Sequence, residues 1–235
     1  VALGGPSPVG PASAVVLTHD FPSEPDGARR TGRSLPVLAD RLAGESGWRV
    51  VAGCLRGVGA SEGDFSLCGW LQDMTALVDH AARLAAGGRV WVVGFGVTAG
   101  VALCLAATDD RVRGVGCMAG PATFSDWAQD PRAMLDAARR LGVVSTDGFP
   151  RDVAAWAGEF TTLRPEEAVV KVAPRAVLLV HGADDDEVPV ADARLLADAA
   201  GPAAELHVLA GAGHRLRADP RAMALLVGWL ERQGP

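Results

Sequence analysis

Val90-Trp91-Val92-Val93-Gly94-Phe95-Gly96-Val97-Thr98-Ala99-Gly100 is an apolar run that stops at a glycine-rich turn and resumes in small residues. The run has no polar/apolar alternation, so it suits a strand buried on both faces. The turn is tight, and small residues after it allow a helix to start close to the strand. Gly96, at the middle of the bend, can take a strained backbone conformation at little cost. A nucleotide-binding loop also puts glycine between a strand and a helix, to bring phosphate onto the helix N-terminus. Gly94 and Gly96 with Ala99 at the last position approach that spacing, which tolerates Ala there. A dinucleotide loop normally sits in the first strand-helix unit, however, and this is about the third. The turn alone leaves both readings open.

Outward from this segment, short apolar runs alternate with longer amphipathic ones. Strands are expected at Ala14–Thr18, Arg49–Cys54, Val90–Gly94, Gly114–Met118, Ala176–Val180 and Glu205–Leu209. Helices are expected at Ser34–Ala43, Trp70–Ala86, Thr98–Ala107, Arg132–Leu141, Ala191–Ala200 and Pro220–Arg232. The alternation implies an α/β fold with a parallel sheet and right-handed crossovers. It breaks once, between Ala122 and Val172, where Pro, Trp and helix-like patches predict a small helical lid. Trp127 and Trp156 would line the pocket roof or form the lid's own core. The stretch from Gly4 to Pro11 is expected to be a frayed lead-in.

The bulk properties set limits. A length of 235 residues with 49% hydrophobic content suits one domain, 1–235. A net charge of -6, with Lys171 the only lysine, argues against a nucleic-acid surface. Cys54, Cys68, Cys104 and Cys117 have no paired or metal-ligand spacing, so free thiols in a reducing cytoplasm are expected. No apolar run approaches the ~18 residues of a membrane span.

The C-terminal half decides between the two readings of the turn. Val177-Leu-Leu-Val-His181-Gly182-Ala183-Asp184-Asp185-Asp186-Glu187-Val188-Pro189 is a strand running into an acidic loop, and Leu209-Ala-Gly-Ala-Gly213-His214 follows. These resemble the acid loop and histidine loop of α/β-hydrolases, in that family's order of elbow, acid, histidine. Val15-Val-Leu-Thr-His19-Asp20-Phe21-Pro22 resembles the family's oxyanion strand, with Asp20 where Gly is usual. Arg56-Gly57-Val58-Gly59-Ala60-Ser61-Glu62-Gly63 resembles its RGxGxSxG segment. The resemblance runs from about Ala14 to Trp229. It is closest to the dienelactone-hydrolase-like and serine-peptidase-like small hydrolases.

The resemblance implies an α/β-hydrolase fold, with a mostly parallel sheet flanked by helices. It makes His214 the general base and Asp185 its orienting carboxylate, with Asp184 and Asp186 as neighbouring alternatives. The backbone N–H groups of Phe21 and Val97 would form the oxyanion hole. His19 and His181 would hold their loops, and Arg56 and Ser61 would brace their segment against the elbow. His80 and His207 match no motif.

Two positions depart from the pattern. The nucleophile position is Gly96, which has no side chain to attack with. Loss of the serine removes about 10⁶-fold in rate, leaving the ~10³–10⁴ of binding and the oxyanion hole. Asp20 opposes a developing oxyanion unless it turns away or pairs with Arg29, Arg30 or Arg33 in the polar loop that follows. Thr98 is expected to cap the helix or pack, and Cys104 to lie in the core. The expectation is a degenerate hydrolase that binds a small apolar ligand or a partner. The alternative is an active hydrolase of small esters, amides or lactones using water activated by His214–Asp185. A purely structural or interaction role is a third option. No cofactor is implied, and Asp184–Asp186 is expected to be a solvated loop rather than a cation site. A homo-oligomer is left open.

Overall fold

The computed structural model describes residues 2–4, 13–25, 27–85 and 89–234. Each expected strand is present, with shifted ends: β2 (Ala14–Leu17), β3 (Arg49–Ala52), β4 (Val90–Phe95), β5 (Val112–Met118), β6 (Ala176–Gly182) and β7 (Ala204–Leu209). A further strand, β1 (Ala2–Gly4), pairs antiparallel with β3. It takes in Gly4 from the expected lead-in; residues 5–11 of that stretch lie outside the described residues. The sheet order is β1-β3-β2-β4-β5-β6-β7, parallel from β3 to β7.

Successive side chains of a strand point to opposite faces, which divides the core in two. Val16, Val51, Val92 and Val115 pack beneath α2 (Leu67–Leu84), α3 (Val97–Ala106) and α7 (Pro165–Val172). Val15, Leu17, Val93 and Val180 pack beneath α1 (Gly27–Ser46) and α9 (Pro220–Gln233). Helix α3 is buried almost all round, as a helix apolar on every side should be.

One expectation is corrected, and another gains detail. The stretch holding Arg29, Arg30 and Arg33 is the first part of α1, not a polar loop. Buried Ala28, Thr31, Leu35, Ala39 and Leu42 give it a helical stripe that the arginines and Pro36 hide. The 122–172 segment forms α4 (Ser125–Gln129), α5 (Pro131–Leu141), α6 (Val153–Thr162) and α7. Its last helix packs against α3 and α8 (Val190–Ala200), so it serves as the β5-to-β6 crossover in the helical layer. Trp156 is buried and donates from Nε1 to the carbonyl of Phe65. No helix among the described residues is long and apolar enough to cross a membrane.

The strand order places the site. The chain leaves β2 towards β3 on one side, then crosses back to β4 on the other. The carboxyl ends of β2 and β4 therefore open into a crevice, where ligands of open α/β sheets gather. Asp20 follows β2, Gly96 follows β4, Asp185 follows β6 and His214 follows β7.

Candidate active site

Gly96 occupies the bend between β4 and α3 with φ 50° and ψ -122°, a conformation that strains any residue with a Cβ. The bend is pinned from below by Thr98, which is fully buried. Its hydroxyl donates to the carbonyl of His19 (2.6 Å) and accepts from Thr18 Oγ1 (2.9 Å) and from the Phe95 N–H (3.1 Å). Thr98 thus fastens the end of β2 to the bend, which is more than the capping expected of it.

His19 is neutral and structural. Its Nε2 accepts from the Leu55 N–H (2.9 Å) and its Nδ1 bonds the Asp20 carbonyl (2.8 Å). Burial lowers its pKa to about 4, against the raising effect of the Asp20 carbonyl and carboxylate. Arg56 and Ser61 brace a different neighbour from the one expected. The Arg56 guanidinium holds Asp73 of α2 through two bonds (2.7 and 3.0 Å), and Ser61 Oγ donates to the Cys54 carbonyl. They fix their loop to α2 and to itself, not to the elbow.

The acid–histidine pair comes together. His214 Nδ1 lies 2.9 Å from Asp185 Oδ2 and 3.0 Å from Oδ1. Asp185 also accepts from the backbone N–H groups of Glu187 (3.0 Å) and Val188 (2.8 Å), and its Oδ2 lies 3.2 Å from His181 Nε2. Its side chain is enclosed, whereas Asp184 and Asp186 face solvent. Burial would raise the Asp185 pKa, but the hydrogen bonds from His181, His214 and Val188 hold it far below the ordinary carboxylate range.

The other half of the site differs from expectation. The Phe21 N–H (2.6 Å) and Val97 N–H (3.1 Å) do converge on one point, and that point is Asp20 Oδ1. The second carboxylate oxygen, Oδ2, lies 2.7 Å from His214 Nε2. Asp20 neither turns away nor joins the arginines; Arg30 pairs with Glu24 instead. A Cβ built on Gly96 would overlap the Asp20 carboxylate. The carboxylate therefore fills the space that a side chain at residue 96 would take and occupies both N–H groups.

The imidazole consequently faces a carboxylate on each side. Carboxylates only accept, so both ring nitrogens donate and the ring is an imidazolium. Burial lowers its pKa, but the hydrogen bonds to Asp185 and Asp20 outweigh burial and raise it to about 10. An imidazolium has no lone pair with which to take a proton. Asp20 is itself a weak nucleophile, since bonds to two N–H groups and an imidazolium stabilise its charge.

Two thiols are quiet. Burial pushes both Cys104 and Cys117 up to about 12. Among the described residues no group of three His, Cys, Asp or Glu side chains could hold a metal ion. A cavity of about 260 Å³ adjoins the site, lined in part by Phe21, Phe124, Trp127, Glu187, Asp192 and His214. Sequence reasoning assigned Phe124, Glu187 and Asp192 no role, since no motif marks them; only the fold brings the start of α4 and the β6–α8 segment to one cavity.

Comparison with solved structures places the chain among α/β-hydrolase esterases and lipases in fold. It is similar to Est1E from Butyrivibrio proteoclasticus (TM-score 0.70, 18% identity, 98% of this chain and 90% of that one). It is also similar to the meta-cleavage product hydrolase CumD from Pseudomonas fluorescens (0.67, 19%, 99% and 93%). A third likeness is to a monoacylglycerol lipase from Paleococcus ferrophilus (0.69, 18%, 99% and 98%). Neither a protein-family model nor a curated protein sequence matches the chain. The chain has the α/β-hydrolase fold.

Proposed function

We propose that this protein is a degenerate hydrolase, in which Gly96 stands at the nucleophile position and the site binds a small, largely apolar ligand or a partner instead of cleaving an ester. Asp185 and His214 are the remnants of the acid–base pair, and the Phe21 and Val97 N–H groups are the remnant oxyanion hole. The observation that carries the reading is the Asp20 carboxylate bonded to both of those N–H groups and to His214. An incoming carbonyl would have to displace an anion from the seat meant to stabilise its own.

The competing reading is hydrolysis of small esters, amides or lactones by water activated by His214–Asp185, and it draws on the same retained pair. It requires a neutral imidazole with one free nitrogen and room for water beside it. Both nitrogens here donate to carboxylates.

The test compares the parent with Gly96→Ser, Asp20→Gly and the double variant, using chromogenic short-chain esters and fluorophosphonate labelling. The parent and both single variants are expected to show neither turnover nor labelling. The double variant frees the hole and supplies a hydroxyl, and should gain at least ~10²-fold in labelling rate. Parent turnover that disappears in His214→Ala would overturn the proposal in favour of the activated-water reading.

A further inference from the structure

The 260 Å³ cavity beside His214 has an unusual combination of walls. Phe21, Phe124 and Trp127 form an aromatic surface, with ring centroids of Phe21 and Phe124 at 5.4 and 6.0 Å from that of Trp127. Asp20, Asp126, Glu187 and Asp192 also line it, and neither Lys nor Arg does. The lining cation, His214, is already paired with Asp185 and Asp20. Those three groups together carry one net negative charge, and Asp126, Glu187 and Asp192 add to it.

Among the described residues, Asp126 and Asp192 form no salt bridge with a cation, and Glu187 has only a long ion pair with a His214 that already serves two carboxylates. Asp192 accepts from the Ala122 N–H (2.9 Å) and Asp126 from the Gln129 amide (2.9 Å), both uncharged donors. Glu187 Oε2 is 3.9 Å from His214 Nε2, beyond hydrogen-bond reach. Arg30 and Arg215 line an adjoining cavity of about 90 Å³, which shares Asp20, Phe21 and His214, and both pair with Glu24. An excess of negative charge against aromatic faces attracts an organic cation. The carboxylates are dispersed rather than convergent, which suits a bulky organic cation better than a metal ion.

We propose that this cavity selects an organic ammonium ion carrying a small apolar or aromatic body. The ammonium sits between Glu187 and Trp127, and the body lies against Phe21 and Phe124. This rests on the ligand-binding reading above and supplies its ligand class.

The experiment is titration calorimetry on the full chain with benzyltrimethylammonium, its uncharged carbon isostere neopentylbenzene, and phenylacetate. The ammonium is expected to bind at least about tenfold more tightly than either comparator. Glu187→Gln and Trp127→Leu should each weaken it about three- to tenfold, while leaving neopentylbenzene unchanged in the first variant. Equal or tighter binding of the neutral isostere overturns the cation selectivity and leaves the apolar-ligand reading standing. Tighter binding of phenylacetate overturns it as well. No binding of any probe overturns the inference together with the small-ligand half of the proposed function. Ester turnover by the parent overturns the proposed function by itself, whatever the ammonium does.

Discussion

The two halves of the site make different use of the same strand-end geometry. On the β6–β7 side, Asp185 and His214 keep the arrangement that the α/β-hydrolase order implies, down to the backbone bonds that hold Asp185. On the β2–β4 side, the bend and the two convergent N–H groups persist, but a carboxylate from β2's own loop occupies them. The contrast teaches that a bend without a side chain need not leave an empty space. Gly96, with no Cβ, and the Asp20 carboxylate fit each other, and the geometry around them holds an ion pair with His214.

The largest expected effect comes from forcing a side chain into that fit. Gly96→Ser meets both the positive φ and the Asp20 carboxylate, and should lower unfolding free energy by about 3–5 kcal/mol. Adding Asp20→Gly should recover part of it, and chemical denaturation of the four forms measures the coupling. Purely additive losses would show that the two positions do not contend for one space.

Next is His214→Ala. In a working hydrolase this residue serves chemistry, whereas here it joins two carboxylates, with 6% of its side chain exposed and none of that of Asp185. Its removal leaves the enclosed Asp185 with only His181 and the Glu187 and Val188 N–H groups as partners, at a cost of about 3 kcal/mol. A variant as stable as the parent would restore the view that the pair is idle machinery.

Thr98→Val tests the fastening common to both halves. It removes the bond to the His19 carbonyl and leaves the Thr18 hydroxyl with only the longer bond to the Val93 carbonyl (3.3 Å), which should cost about 1–2 kcal/mol in urea midpoint experiments.

The last prediction is a slope. The His214 pKa is raised from 6.5 to about 10 in the folded state, so the folded form holds a proton that the unfolded form releases. Its contribution to stability is complete below about pH 6.5 and is lost as pH rises towards 10. His19 acts with the opposite limb, because its folded pKa is lowered to about 4; stability is lost as pH falls from about 6.5 to 4. Asp20→Asn should flatten the alkaline limb and leave the acid limb steep. Imidazole NMR titration of His214 checks the same shift directly.

Much of this was legible in the sequence. The Val-rich runs marked the strands because burial on both faces forces near-continuous apolar composition. Asp185 and His214 were legible through the resemblance of their loops to the α/β-hydrolase acid and histidine loops, with Val188-Pro189 picking the middle aspartate. What stayed hidden was side-chain direction. Asp20 was visible as a misfit, but whether it faced α1 or the hole depended on where Gly96 left space. The arginines after it read as a loop because charge masked the buried stripe of Ala28, Thr31 and Leu35. The cavity-lining Glu187 and Asp192 carried no local signal, since their proximity comes from the packing of separate elements.

The overlap between a Cβ at Gly96 and the Asp20 carboxylate also acts as a ratchet. A serine-bearing version of this bend and the present one differ at two positions, and each intermediate between them is defective. Serine with Asp20 is crowded, and glycine with an uncharged residue 20 leaves the hole without an anion and His214 without one of its partners. On the reading proposed above, no single substitution gives a hydroxyl at residue 96 together with unoccupied Phe21 and Val97 N–H groups, so the two positions act as one unit.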